Sequence, residues 1–223
     1  MSEDVFRIAT WNVHGLRGGV DAVAEVVRAE GVDVLLLQES GPRRRLRALG
    51  QLLGSIVCAD PLVFPRRRVQ NAVLLPSSRA RSVRSRLVRF AGGSVIDPRG
   101  VLLTEFDERW TAASAHLGLR GAERGRHVAQ LTGLLEGFPD GFVLGGDLNA
   151  LPGEPGPSRI AGLATDVWDA AGEGPGATYP AAAPTARIDY LYAGPAVRPI
   201  RAWTAGGAVS DHLMVVAEVA LER

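Results

Sequence analysis

Phe142-Val-Leu-Gly-Gly-Asp-Leu-Asn149 is the most informative stretch of this sequence. Its first residues, Phe142–Leu144, form a short apolar run that predicts a buried strand. The two glycines that follow have no Cβ atom and let another part of the backbone approach closely. Asp147 and Asn149 then leave the same strand end as a carboxylate and an amide. Because binding and catalytic groups concentrate in loops at strand ends, we predict that this strand leads into a functional loop.

Polar side chains also follow other predicted strands whose apolar runs do not explain them. They are Asn12 after Val5–Trp11, Glu39 after Asp33–Gln38, His116 after Trp110–Ala115, Asp189 within Ile188–Tyr192, and Asp211 and His212 before Leu213–Val219. Taken alone, each has an ordinary structural explanation as a helix cap, a turn residue or a buried histidine. Together they supply carboxylates, which bind Mg²⁺, and imidazoles, which exchange protons near neutral pH.

The chain contains more predicted strands than helices. Apolar residues three and four apart predict two helices, one carrying the stripe Val20–Val27 and one the stripe Val128–Leu135. Further strands are predicted at Asn71–Leu75, Val83–Phe90, Val101–Phe106 and Ile200–Trp203. Successive strands with helices between them indicate two packed sheets flanked by helices. The length of 223 residues favours a single domain over residues 1–223.

Composition excludes several classes of protein. Apolar residues make up 46% of the chain and charged residues 22%, which excludes a disordered protein. The longest apolar run, Leu213–Ala217, has five residues, whereas a membrane-spanning helix needs ~20. The first residues lack the basic and apolar segments of a signal peptide, and the single Cys58 excludes an intrachain disulfide. We therefore expect a cytoplasmic monomer without a membrane span.

Positive charge is concentrated in one segment. Between Arg43 and Arg89 lie twelve arginines and one acidic residue, so this segment carries +11 in a chain of net charge +1. All 25 cationic residues are arginines, which indicates coding bias and not a choice of arginine for phosphate binding. The segment predicts either a surface that attracts a nucleic-acid backbone or, at Arg43-Arg-Arg-Leu-Arg47, a solvated helix face. Arg84 and Arg86 share one face of a predicted strand.

Seven motifs, taken in order, resemble those of the endonuclease/exonuclease/phosphatase superfamily. They are Ala9-Thr-Trp-Asn-Val13, Leu36-Leu-Gln-Glu39, Asn71-Ala-Val-Leu74, His116-Leu117, Gly145-Gly-Asp-Leu-Asn149, Arg187-Ile-Asp-Tyr190 and Ser210-Asp-His212. The resemblance implies an α/β (α+β) fold, a four-layered α/β sandwich with two mixed β-sheets face to face and helices outside. It also implies hydrolysis of a phosphoester with Mg²⁺ or Mn²⁺ as the cofactor.

The same resemblance implies which side chains hold the metal and the attacking water. Asn12 and Glu39 would lie at the metal, with Glu39 the direct ligand, and Asp211 is a further candidate ligand. Asp147 would orient and activate the water, and Asn149 would bind the phosphoryl oxygens. A metal that polarises the phosphoryl oxygen and a positioned carboxylate suit a reaction that depends on charge neutralisation.

The histidines take complementary roles in the resemblance. His212, held by an acidic partner, would bind and neutralise the phosphoryl group, because a nearby carboxylate readily raises the pKa of an imidazole. His116 would assist the leaving group. Asn71 and Asp189 would support the phosphate pocket.

The sequence leaves the substrate open. A phosphodiesterase acting on DNA or RNA is the leading hypothesis, because Arg66 and Arg68 precede Asn71 and Arg124 follows His116. These arginines are candidate substrate contacts. The alternatives are a phosphatase or phosphodiesterase for a nucleotide, sugar phosphate or lipid headgroup, and a catalytically idle member of the fold that binds a partner.

Overall fold

Two six-stranded mixed sheets pack face to face in the computed structural model, which describes residues 5–61, 68–78, 82–92, 97–106, 110–138 and 141–221. The first sheet contains, in spatial order, β13 (Val197–Ala205), β14 (Met214–Leu221), β1 (Val5–Asn12), β2 (Val34–Gln38), β6 (Ala72–Pro76) and β4 (Ser55–Ala59). The second contains β11 (Thr165–Asp166), β12 (Asp189–Ala193), β10 (Phe142–Asp147), β9 (Trp110–His116), β8 (Gly100–Phe106) and β7 (Val83–Arg89). A separate ribbon pairs β3 (Gly41–Pro42) with β5 (Arg68–Val69).

Helices cover the outer faces of the sheets. They are α1 (Val20–Ala29), α2 (Arg43–Leu53), α3 (Gly121–Leu135), α4 (Pro155–Ala161) and α5 (Val167–Ala171). Leu36 and Val143 belong to the apolar layer between the sheets, Val23 and Leu46 to the layer under α1 and α2, and Leu131 to the layer under α3. These layers confirm the predicted four-layered α/β sandwich.

Both predicted helices and the predicted strands are present, with ends that differ by a few residues. The sequence indicates only the start of α2, as a solvated helix face at Arg43–Arg47. The rest of the helix has a weak apolar pattern, and only Leu46, Leu49 and Gly50 of α2 are buried. The strand β4 and the short helices α4 and α5 were also missed. None of the helices in the described part of the chain is long and apolar enough to cross a membrane.

Two arginines of the basic segment Arg43–Arg89 bind backbone carbonyls and so stabilise the fold. Arg45 Nη1 donates to the carbonyl oxygen of Leu16 at 3.2 Å, and Arg43 Nη2 donates to that of Asp60 at 3.1 Å. Arg84 and Arg86 are exposed on β7, opposite Glu105 and Leu103. At least Arg43 and Arg45 of this segment are therefore committed to the fold.

Candidate active site

The carboxyl ends of strands from both sheets meet at one edge of the sandwich. The strands β1 and β2 run parallel, as do β9 and β10. Asn12 ends β1 and Asp147 ends β10, and Asn12 Nδ2 donates to Asp147 Oδ2 at 3.0 Å across the gap between the sheets. The polar residues that follow separate strands in the sequence are thus brought together at this edge.

Four buried side chains form what we call the Asp–His cluster, namely His116, Asp147, Asp189 and His212. The first three are register partners on β9, β10 and β12. His116 Nε2 lies 3.4 Å from Asp147 Oδ2. His212, on the loop before β14, places Nδ1 2.9 Å from Asp189 Oδ2 and Nε2 3.9 Å from Asp147 Oδ2. Both histidines therefore approach the same oxygen, Oδ2, of the Asp147 carboxylate.

Neighbouring groups fix the orientation of the cluster. Thr178 Oγ1 donates to Asp189 Oδ2 at 2.6 Å, and Trp11 Nε1 donates to the carbonyl oxygen of His212 at 2.8 Å. The backbone N–H of Asn149 donates to Asp147 Oδ1 at 3.0 Å, while its side-chain amide donates to the carbonyl of Leu117 at 3.1 Å. Such surrounding bonds hold catalytic groups near one geometry.

The two glycines before Asp147 allow close packing, as the sequence predicts. A Cβ atom on Gly145 would lie 2.6 Å from Leu36 Cδ1 of the opposite sheet. One on Gly146 would overlap the carbonyl oxygen of Ala115 on β9. Larger residues would push β10 away from its neighbours and displace Asp147.

Asp147 and His212 carry opposite charges within the cluster. Burial alone would raise the pKa of Asp147, but the two facing histidines and the Asn12 amide favour the carboxylate and hold its pKa at about 2. Burial opposes charge on His212 as well, yet its bond to Asp189 and the nearby carboxylates raise its pKa to about 9. At neutral pH, Asp147 is a carboxylate and His212 an imidazolium.

Glu39 and Asp211 lie outside the Asp–His cluster. Glu39 is half-buried, with φ of 47°, at a cavity of about 220 Å³ that His14, Arg17 and Arg68 also line. Asp211 Oδ2 lies 3.3 Å from His14 Nδ1, and His14 Nε2 lies 2.9 Å from Arg17 Nη1. Non-glycine residues with positive φ are strained, and His14 (45°) and Asn149 (51°) share this conformation with Glu39.

Two groups of donors could hold a divalent cation. Asp147, Asp189 and His212 place one ligand atom each within 4.8 Å of one another, and Asp189 Oδ1 is buried without a partner in the described residues. However, His212 Nδ1 is already bonded to Asp189, and the raised pKa of His212 favours the imidazolium, which has no lone pair for a metal. The Glu39 carboxylate fits better, because none of the described residues bonds it and it faces a polar cavity.

The other predicted substrate contacts lie in different surroundings from one another. Asn71 is buried, where its Nδ2 donates to Asp60 Oδ2 at 3.2 Å, so it supports the strands under the site. Arg124 is paired with Glu154 at 2.7 Å. Arg68 lines the Glu39 cavity, whereas Arg66 lies outside the described residues.

Sequence reasoning missed Arg99. This buried guanidinium places Nη1 2.6 Å from Nδ1 and 2.7 Å from Nε2 of His116, and Nη2 3.0 Å from Asp97. Arg99 directly precedes Gly100, which lies opposite His116 in the β8–β9 register. The sequence shows an arginine just before a predicted strand, but only the pairing of β8 with β9 shows that this arginine lies next to His116.

A model of the Endonuclease/Exonuclease/phosphatase family matches residues 9–212. The chain belongs to this family. The predicted resemblance is therefore confirmed, and the protein is a phosphoester hydrolase of a divalent-metal-dependent family. Among curated proteins, none matches the sequence.

Solved structures show the same fold across the whole chain. A family protein from Bacteroides thetaiotaomicron is 13% identical with a TM-score of 0.83, and 100% of each chain is covered. A mannosyl-6-phosphatase from the same organism is 13% identical with a TM-score of 0.80, covering 96% of this chain and 99% of that one. D. rerio TDP2 in complex with a single-strand DNA product is 18% identical with a TM-score of 0.72, covering 97% and 99%.

Proposed function

We propose that the protein hydrolyses a phosphodiester with water that Asp147 orients and with His212 as the cation that stabilises the phosphoryl group. The observation that carries this proposal is the row of His116, Asp147 and Asp189 on neighbouring strands. His212 is bonded to Asp189, and both histidines are directed at Asp147 Oδ2. Phosphoryl transfer depends mainly on positioned charge, and this row supplies it.

The chain's own residues divide the work. Asp147 accepts a hydrogen bond from the attacking water, whose oxygen bonds to phosphorus as the ester P–O bond breaks. One proton of the water stays on the phosphate product, and the departing oxygen takes the other on the side of His116. His212 uses Nδ1 for Asp189, which leaves Nε2–H free to donate to a phosphoryl oxygen. His116, with Arg99 against its ring, faces the leaving oxygen. A pKa of about 2 makes Asp147 a weak base, so its main contribution is orientation of the water.

Mg²⁺ or Mn²⁺ would be held by Glu39 with Asn12 beside it and Asp211 as a further candidate. Such an ion polarises a phosphoryl oxygen and neutralises developing charge. The exposed side of Glu39 and the half-exposed Asp211 carboxylate leave room for the water ligands that Mg²⁺ keeps.

Nucleic acid is the substrate that we put first. In support, the D. rerio TDP2 structure of the same fold holds a single-strand DNA product, and Arg17 and Arg68 line the Glu39 cavity. A small phosphate ester is the second candidate, because a mannosyl-6-phosphatase has the same fold. In addition, Arg84 lies on the half of β7 away from His116, where it could not contact a substrate held at the Asp–His cluster.

The test is a hydrolysis panel in Mg²⁺ or Mn²⁺ with plasmid, abasic DNA, RNA, bis-p-nitrophenyl phosphate and phosphomonoesters. We expect hydrolysis that EDTA abolishes, with diesters preferred to monoesters. Hydrolysis of monoesters alone would make the second candidate the function. Binding of a partner without hydrolysis of any member would favour the catalytically idle alternative.

Salt dependence separates the two substrate candidates. If duplex DNA binds, log affinity falls linearly with log salt, by about 0.9 per phosphate contacted. Arg66, Arg67 and Arg68 changed together to Gln should reduce that slope equally on unrelated sequences, since phosphate contacts carry no base information. The measurement is fluorescence anisotropy in Ca²⁺. Absence of binding at the lowest salt concentration would contradict the nucleic-acid assignment.

A further inference from the structure

An exposed aromatic ring lies beside the Asp–His cluster and has no role in the reaction described above. It belongs to Tyr179, on the segment between α5 and β12, whose side chain is 40% exposed. In the described part of the chain, no other aromatic side chain is exposed. The centroid of the Tyr179 ring lies 4.8 Å from that of His212, with 48° between the ring planes. Tyr179 therefore contacts the proposed phosphoryl-binding cation and still presents part of its ring to solvent.

Backbone hydrogen bonds hold Tyr179 in place. Its N–H donates to the carbonyl oxygen of Ala186 at 3.0 Å, and its carbonyl oxygen accepts from the N–H of Ala186 at 2.9 Å. Two more bonds, each of 2.8 Å, join its chain neighbours to the residues that flank His212, from Leu213 N–H to the Thr178 carbonyl and from Ala181 N–H to the Asp211 carbonyl. A ring fixed in this way loses little conformational freedom when a ligand packs against it.

The strand order places Tyr179 on one side of the reacting groups. Across the sandwich, β14 packs opposite β12, β1 opposite β10 and β2 opposite β9. His212 precedes β14, Asp147 ends β10 and Glu39 follows β2. Tyr179 contacts His212 and so lies at the β12–β14 side, whereas Glu39 lies at the β2–β9 side. A phosphate held at Asp147 and His212 therefore has the proposed metal ligand on one side and an aromatic ring on the other.

An exposed tyrosine ring at this position suits a flat aromatic group of the substrate. Aromatic rings attract one another when their centroids are ~4.5–7 Å apart, beyond the effect of the area that they bury. Nucleobases stack on aromatic side chains in this way, and the contact tolerates any sequence because every base has a π face. In a nucleotide one sugar separates the base from the phosphate. A phosphate bonded by His212 therefore brings its base close to Tyr179.

We propose that Tyr179 stacks on the nucleobase nearest to the scissile phosphate. The proposal deepens the proposed function and rests on it, because His212 defines where the phosphate lies. It assigns no leaving side, since the base can belong to either nucleoside of the diester. Tyr179 then favours nucleotides over base-free sugar phosphates without selecting a sequence.

Isothermal titration calorimetry in Ca²⁺ tests the proposal without turnover. The ligands are adenosine 5′-monophosphate, adenosine 3′-monophosphate and ribose 5-phosphate, which lacks a base. We expect at least one of the two nucleotides to bind at least about tenfold more tightly than ribose 5-phosphate, the contribution of one base stacked on an aromatic side chain. The nucleotide that shows the preference identifies the side of the phosphate on which the base lies.

Three variants assign the preference to the ring. Tyr179→Leu keeps an apolar side chain against His212 but has no π face, so it should abolish the preference for the nucleotide. Tyr179→Phe keeps the ring and should retain it. Leu163→Ala is the control, because Leu163 is also 40% exposed but precedes β11, whose Thr165 pairs with Ala193 at the end of β12 away from the site. This variant should bind all three ligands like the unaltered protein.

The base-free ligand separates stacking from an effect on His212. Loss of a stacked base weakens only the nucleotide, whereas a disturbed His212 weakens ribose 5-phosphate equally. An equal loss for both ligands in Tyr179→Leu would overturn the proposal, as would loss of the preference in Tyr179→Phe. Equal affinity of the unaltered protein for all three ligands, including no binding at all, would overturn it too. A preference that depends on Tyr179, found together with a failed hydrolysis panel, would reject the proposed reaction and retain the base site.

Discussion

His212 and Asp189 form a buried ion pair in which Nδ1 and Oδ2 are 2.9 Å apart, although the two residues come from different sheets. Asp189 opens β12, and His212 precedes β14. The pair fixes the ring so that Nε2, and not Nδ1, faces Asp147. Its consequence is a histidine that stays protonated at neutral pH.

We predict that Asp147→Asn and His212→Ala each lower kcat by a factor of ~10² or more with smaller effects on KM. Both side chains act mainly in the transition state, which explains the larger effect on kcat. Circular dichroism should show native folding for both. The double variant should lose less than the product of the separate losses, because residues that act together are not additive. An unchanged kcat in either single variant would remove that residue from the mechanism.

Glu39→Gln should weaken Mn²⁺ binding and abolish hydrolysis, because it replaces a carboxylate by an amide of the same shape. Electron paramagnetic resonance of free Mn²⁺ measures the binding without turnover. Glu25→Gln, on the exposed face of α1, serves as the control and should bind Mn²⁺ like the unaltered protein. If Glu39→Gln binds Mn²⁺ normally, the ion is held elsewhere, and the Asp–His cluster becomes the next candidate.

Arg187→Met should destabilise the protein by about 3 kcal/mol. Arg187 is buried and holds both oxygens of Asp166, at 2.9 and 3.0 Å, so its removal leaves a buried carboxylate without its cation. Urea unfolding measures the difference. Arg159→Met, on the exposed surface of α4, should stay within about 0.5 kcal/mol. If Arg187→Met lowers the free energy of unfolding by less than about 1 kcal/mol, water solvates the Asp166 carboxylate in the variant and the prediction is wrong.

Because of Asp60, the free energy of unfolding should decrease as the pH rises. Burial raises the pKa of Asp60 from 3.8 to about 6 in the folded protein, so the folded state binds the proton more tightly than the unfolded state. The contribution is complete below pH 3.8 and is lost as the pH rises through about 6, and its full size is about 3 kcal/mol. Asp60→Asn should remove this dependence, so its free energy of unfolding should exceed that of the unaltered protein more at pH 8 than at pH 4. An equal difference at both values would contradict the prediction.

Most of the fold and of the candidate site that could be predicted from the sequence was predicted from strands and the residues at their ends. Apolar runs such as Phe142–Leu144 identify strands because burial imposes them locally, and polar residues at the ends of those runs identify the site. The metal side could be named only through the family resemblance, since a single Glu39 after a strand has ordinary structural explanations.

Long-range pairing accounts for what could not be predicted. The contact of Arg99 with His116 depends on the β8–β9 register, and the role of Arg45 depends on a loop that precedes it by almost thirty residues in the chain. The side-chain amide of Asn71 could bind either a phosphate or the Asp60 carboxylate. Only the structure, in which Asn71 and Asp60 are buried together, shows that it binds Asp60. Local patterns contain no information on such partners.

The position of β1 next to β14 has a consequence for synthesis on the ribosome. Asn12 emerges early, but its strand lacks one neighbour until residues 214–221 follow. An unpaired strand edge is a template for association with other chains, so the nascent protein carries an exposed edge for most of its translation. His212 emerges only just before that last strand. A chain truncated before residue 210 therefore lacks both His212 and the strand β14 that covers this edge of β1.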